Sequence, residues 1–164
     1  MKLITHYIFS IGLVAFVVAR FLPSPIGLSI ATLIGLGLAI IVNFVIDVLG
    51  HRRKVVDTPQ GYRNVPARTR LTHSIFTAPI WGAVMGWGLL GVLLNGSQPA
   101  IIWAVELGVI IAAGHLLLDS FTMAGVYSFK KRIAIAHWKY NSFLGNGLFI
   151  MIGVVLIWLS RSVI

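Results

Sequence analysis

Five apolar runs, at roughly residues 5–22, 26–50, 73–94, 99–119 and 142–160, constrain this chain more than any other feature. Each is long enough to cross a hydrocarbon layer of about 30 Å as an α-helix. Little is left over for a water-facing shell: 58% of the 164 residues are hydrophobic, 10% are charged, and the mean hydropathy is +0.94. That composition excludes a soluble globular surface. The reading is an all-α, polytopic membrane helix bundle with five transmembrane helices, a single domain over residues 1–164, and the lipid bilayer as its partner. The first run imitates a signal peptide behind Lys2. It contains His6 and has no small-x-small cleavage site before Arg20, so a retained first helix is expected.

The breaks between runs set a topology. Pro23 and Pro25 predict one tight turn and the stretch NGSQPA at 95–100 another, whereas the links at 51–70 and 120–140 are long and basic. If the helices alternate in direction, the N-terminus and both long links share one side. That side holds Lys2, Arg52, Arg53, Lys54, Arg63, Arg68, Arg70, Lys130, Lys131, Arg132 and Lys139, against Arg20 and Arg161 on the other. The positive-inside rule then predicts a multi-pass protein of the cell membrane, N-terminus cytoplasmic and C-terminus outside. The formal charge of +9 follows from this topology. No nucleic-acid partner is needed to explain it, while anionic lipid head groups would be attracted by about 1 kcal/mol per basic residue near the surface.

The polar residues inside this frame gather on the cytoplasmic side. His6 opens the first run, Asp47 and His51 close the second, His73 opens the third, and His115 and Asp119 close the fourth. A carboxylate near a helix C-terminus and near hydrocarbon needs a partner. The i,i+4 spacings of Asp47 with His51 and of His115 with Asp119 put each pair on one helix face. His6 precedes Asp47 by 41 residues and His51 by 45, and His73 precedes His115 by 42 and Asp119 by 46. Helices 1–2 and 3–4 thus read as two parallel pseudo-repeats of one hairpin, meeting about an axis along the membrane normal.

The two hairpins open on the same phrase, Thr-His-x-Ile-Phe, at Thr5 and at Thr72. Thr5 and Thr72 are expected as helix N-caps, with Ile4/Phe9 and Leu71/Phe76 as hydrophobic staples. Capping does not account for the histidines, because a helix N-terminus disfavours their cationic form. The chain has no cysteine, so metal chemistry here would use imidazole and carboxylate; that ligand set suits zinc first, with manganese or iron as the alternatives. Glu106 lies mid-membrane, about 13 Å along its helix from His115, and reads as a protonated or internally bonded carboxyl. Asp57 reads as a solvated partner charge, residues 129–140 as an interfacial amphipathic segment with His137 outside the ligand set, and the many glycines as close-packing contacts.

The stretch RLTHSIF at 70–76, followed some 40 residues later by GHLLLDSFTMAGVYSF at 114–129, resembles the YdjM-type family of membrane-bound predicted metal-dependent hydrolases. The matching positions are His6, Arg70 (shifted by one place), Thr72, His73, Ser74, His115, Asp119, Thr122 and Gly125. The chain is most similar to an archaeal branch of such proteins over its first four helices. It departs where the family's Asp-rich motif shrinks to FVIDVLGH and where the His of His-Arg-Gly is missing.

The resemblance implies a metal-dependent hydrolase at the cytoplasmic membrane face, acting on a phosphoester or lipid-linked substrate. In that scheme His6, His73, His115 and Asp119 bind a divalent ion, Asp47 and His51 complete a second metal or act as base, and Arg70 holds substrate phosphate. Thr5, Thr72 and Thr122 would lie beside the ligands. Two other classes fit the same residues: a non-enzymatic membrane protein clamped by its His/Asp cluster, and a metal-ion or proton translocator using Glu106.

Overall fold

The computed structural model is mostly helical, and it describes residues 1–22, 24–58 and 61–161. Pro23 of the expected first turn lies outside the described residues, as do the side chains of Arg53, Lys54, Asp57 and Arg63 in the first basic link. Helices α1 (Leu3–Arg20) and α2 (Leu28–Gly50) lead into a hairpin of β1 (His51–Thr58) and β2 (Gly61–Arg68). Helix α3 (Thr77–Trp87) runs on as a π-helical stretch, Gly88–Leu93, and α4 spans Gln98–Ser120. A short hairpin of β3 (Val126–Ser128) and β4 (Lys131–Ile133) precedes α5 (Phe143–Arg161). Four helices, α1, α2, α4 and α5, are long and apolar enough to cross a membrane; Thr77–Leu93 is apolar but shorter.

The outer surface of these helices fits that reading. Ile30, Leu33, Ile40, Phe44 and Val48 of α2 and Met151, Val154 and Trp158 of α5 are all exposed. A helix facing water would carry polar residues there, and leaving such side chains in water forfeits roughly 1.5–3 kcal/mol each, a loss that lipid removes. The interior is packed with Val14 from α1, Leu38, Val42 and Ile46 from α2, and Leu107, Ile111 and Ala112 from α4. Small residues set the closest crossings, as the sequence suggested. A Cβ on Gly12 would collide with the backbone of Gly153 where α1 meets α5, and one on Gly82 with the backbone of Gly108 where α3 meets α4.

Three local expectations are corrected. Thr5 is not a cap: α1 begins at Leu3, the Thr5 N–H donates to the Lys2 carbonyl at 3.0 Å, and its hydroxyl donates to Asn146 Oδ1 on α5 at 2.6 Å. Thr72 is not a cap either, because residues 69–76 do not enter the helix. Their backbone is held by β3 instead, with Tyr127 N–H donating to the His73 carbonyl at 2.8 Å and Ile75 N–H to the Tyr127 carbonyl at 2.9 Å. Finally, the 129–140 region is not one continuous amphipathic segment. It turns through β4, and Trp138 packs against Phe121 and Phe149, leaving Tyr140 exposed and His137 exposed at a φ of +54°.

Candidate metal centre

One end of the bundle collects His6 from the first turns of α1, Asp47 from the last turn of α2, His51 from the start of β1, His73 from the turns before α3, and His115 and Asp119 from the end of α4. Two adjoining triads result among the described residues, His6/His115/Asp119 and Asp47/His51/His73, each with donor atoms within 4.8 Å of one another. They are continuous. His73 Nε2 and His115 Nε2 lie 3.2 and 3.3 Å from Asp119 Oδ2, and the same two nitrogens lie 3.9 and 3.6 Å from Asp47 Oδ1. His6 Nε2 is 3.2 Å from Asp119 Oδ1, and the His6 ring stacks on that of His115 at 4.0 Å. His6, His73, His115 and Asp119 are essentially fully buried, whereas the side chains of Asp47 and His51 are 16% and 43% exposed.

Partners behind the rings decide which nitrogen carries a proton. Asn43 is fully buried, and its amide nitrogen donates to the Ala39 carbonyl at 2.6 Å and to Ser10 Oγ at 2.9 Å. Its Oδ1 therefore accepts, and His115 Nδ1–H donates to it at 2.8 Å. Thr72 donates its hydroxyl to the Ile46 carbonyl at 2.8 Å, so His73 Nδ1–H donates to Thr72 Oγ1 at 3.1 Å. His51 Nδ1–H donates to the Asp47 carbonyl at 2.8 Å. In each ring Nε2 is left with a bare lone pair. For His73 and His115 that lone pair lies within 3.3 Å of a carboxylate oxygen, which also has only lone pairs to offer. These three atoms, His73 Nε2, His115 Nε2 and Asp119 Oδ2, are buried and make no hydrogen bond. Such a set is repulsive unless a cation stands among it, and anchoring the far imidazole nitrogen is how metal-binding histidines are oriented. The residues present fit a divalent ion. His73 is also held below its ordinary pKa, chiefly by burial, which keeps its imidazole neutral and able to ligate.

The other oxygen of Asp119 is committed to cations. Arg68 NH2 donates to Oδ1 at 2.6 Å, and the Met1 amino group lies 3.1 Å away. Arg68 NH1 also donates to Thr122 Oγ1 at 2.9 Å and to the Gly125 carbonyl at 2.8 Å, and Thr122 in turn donates to the Asp119 carbonyl at 2.8 Å. The hairpin register puts Arg68 there, since Arg68 is paired across the strands with His51. Arg70, the residue expected to hold substrate phosphate, lies beyond the end of β2, exposed, with its guanidinium 5.5 Å from the Tyr127 ring centroid and an NH2 contact to the Lys130 carbonyl at 3.5 Å. Gly50 leaves room for the cluster, because a Cβ at that position would run into His73 and Thr72 Oγ1.

The expected threonines divide. Thr72 and Thr122 touch the cluster, while Thr5 faces Asn146 and ties α1 to α5. Glu106 is exposed on the outer face of α4, beside Trp103 and Pro99, so the internally bonded carboxyl is not found among the described residues. Two residues were missed from sequence. Arg68 was one basic residue among many in its link. Asn43 had a readable signal, being the one amide in the run 26–50 and one helical turn before Asp47.

Fold and site together define a helical protein with four membrane-crossing candidates and a buried His/Asp cluster at one end able to hold a metal ion. The chain belongs to the family described as protein of unknown function DUF1286, whose model matches residues 1–118, a span that includes every clustered residue except Asp119. No curated protein and no solved structure matches it.

Proposed function

We propose that this chain is a metal-dependent hydrolase at the cytoplasmic face of the membrane, acting on a phosphoester or lipid-linked substrate. The observation that carries the reading is the convergence of three buried, unpartnered acceptor atoms, His73 Nε2, His115 Nε2 and Asp119 Oδ2, with the first two oriented from behind by Thr72 and Asn43. His6, His73, His115 and Asp119 would hold the ion, and imidazole with one carboxylate favours zinc over manganese or iron. A bound divalent ion supplies a Lewis acid and brings the pKa of a coordinated water towards about 7. Asp47, partly exposed and 3.6 Å from His115 Nε2, is the base in this scheme and gives its proton to solvent, while the more exposed His51 orients it by donating from Nδ1 to the Asp47 carbonyl. Arg68 holds Asp119 ionised and in place. The resemblance to the YdjM-type hydrolases supports the same class.

The same proposal includes the membrane arrangement: Thr77–Leu93 as a fifth crossing through a locally thinned bilayer, α1–α2 and α3–α4 as parallel repeats, and the N-terminus inside. It is supported by the excess of basic residues in the two hairpin links and by the meeting of His6 and His73, one from each hairpin, on a single carboxylate, Asp119.

A structural clamp is the second reading, favoured by the burial of His6, His73, His115 and Asp119, with Asp47 and His51 the more exposed members of the cluster. Elemental analysis of protein purified without chelators tests both. A transition metal in at least equimolar amount, lost in His115→Ala, together with hydrolysis of a chromogenic phosphodiester, is the expected result. Full metal content in His115→Ala would remove the assignment; metal without turnover of any phosphoester would leave the clamp.

A further inference from the structure

Beside the cluster lies a cavity of about 580 Å³, lined among others by His51, Arg68, Thr122, Met123, Lys139 and Tyr140. We infer that it seats the head of an amphiphile carrying a phosphate group, with the hydrocarbon tail leaving towards the bilayer past the start of α5. The inference rests on the hydrolase reading for its consequence, since it names the substrate class, but the binding is measurable without turnover.

Three observations support it. The volume lies within the range of small-molecule pockets, about 300–1,000 Å³. Its wall is shared with the metal cluster through His51, and through Arg68 and Thr122, which bond to Asp119. Its charge has one sign: Arg68 and Lys139 line it and no described Asp or Glu does, and no described carboxylate forms an ion pair with Lys139. Arg68 NH1 and NH2 are occupied by Asp119, Thr122 and Gly125, yet its Nε–H is buried with no partner, one guanidinium donor left over in a lining residue. Arg68 is already paired with Asp119 but keeps that one donor, and the Lys139 ammonium has no described carboxylate partner; together they offer an oxyanion two cationic donors, and a phosphate accepts from both.

The tail is inferred from the exit. Tyr140, which lines the cavity, is 65% exposed, and Phe143 and Leu144 at the start of α5 are 94% and 71% exposed. They extend the apolar exterior of the bundle up to the cavity, so an acyl or isoprenoid chain can lie against them while its head reaches Lys139 and Arg68. A free phosphate would use the same cations and ignore this surface.

The test uses the purified full chain in detergent, with and without zinc, and three probes: dioctanoyl phosphatidic acid, dioctanoylglycerol and inorganic phosphate. Phosphatidic acid should bind at least about tenfold more tightly than either of the others. Lys139→Ala, at an exposed position with no packing to lose, should weaken it by about fivefold or more. Ala124→Trp, which fills the cavity, should abolish it, and both variants should keep the wild-type metal content. Phosphate binding as tightly as phosphatidic acid, dioctanoylglycerol doing so, or indifference to both substitutions would overturn the inference. Zinc-independent binding of phosphatidic acid by protein that never holds metal would uphold it while removing the hydrolase.

Discussion

His115 Nε2 lies 3.3 Å from Asp119 Oδ2 one helical turn away, and the proton that would make this a hydrogen bond is on the opposite nitrogen, given to Asn43. An acceptor facing an acceptor inside a buried cluster is the central feature of this protein. The expected behaviour of several variants follows from it.

Asn43 bonds the His115 ring at Nδ1, on the side away from the proposed ion. Asn43→Ala should lower metal affinity by about 10- to 100-fold, the range for losing the partner behind a ligating histidine. Leaving His115 Nδ1 without an acceptor should also cost about 1–3 kcal/mol in thermal unfolding. Competition with a chromophoric chelator measures the first effect, and unchanged affinity would show that the tautomer is set some other way.

Two arginines two residues apart should behave oppositely. Arg68→Met leaves Asp119 buried without its 2.6 Å partner and should destabilise the fold by about 3–5 kcal/mol. Arg70→Ala removes an exposed ring contact and a 3.5 Å exposed contact to the Lys130 carbonyl, and should cost less than about 1 kcal/mol. Melting curves of the two variants side by side decide it.

Gly50→Ala adds one methyl group where His73 and Thr72 already stand. Displacing them should cost about 1–3 kcal/mol and, on the proposal that His73 ligates the ion, should reduce metal content as well. A variant that melts lower but retains full metal would show that His73 is not needed for binding.

Metal retention should fall with acid. The imidazoles must be neutral to ligate, and because burial holds His73 below its ordinary pKa, affinity should hold from about pH 7.5 to about 6.5 and fall only as pH drops below that. Because burial holds the His73 pKa low, the metal-free fold binds fewer protons there than the unfolded chain does. Its contribution to stability is therefore present above about pH 6.5 and is lost as pH falls below that value. Chelator titration and melting curves across this range would report both.

Much of the fold was legible because long apolar runs are local signals: α1, α2, α4 and α5 fall on the runs expected at 5–22, 26–50, 99–119 and 142–160. The start of the third helix was not, since Ile75 N–H donates to the Tyr127 carbonyl and Tyr127 N–H to the His73 carbonyl, bonds across more than fifty residues that hold 69–76 out of the helix. The site divides the same way. Spacing along helices brought forward Asp47 with His51 and His115 with Asp119, and the structure gathers them with His6 and His73.

What the sequence determined alone was therefore which segments are apolar enough to be helices and which titratable residues stand at their ends, since a hydrocarbon-length run and an i,i+4 interval are properties of neighbours along one chain. The tertiary structure decided that Arg68 neutralises Asp119, that Asn43 holds His115, and that Thr5 and Thr72 serve packing and orientation instead of capping. Each of those outcomes depends on hairpin register or on helices crossing at a particular height, and so on contacts between residues remote in the chain.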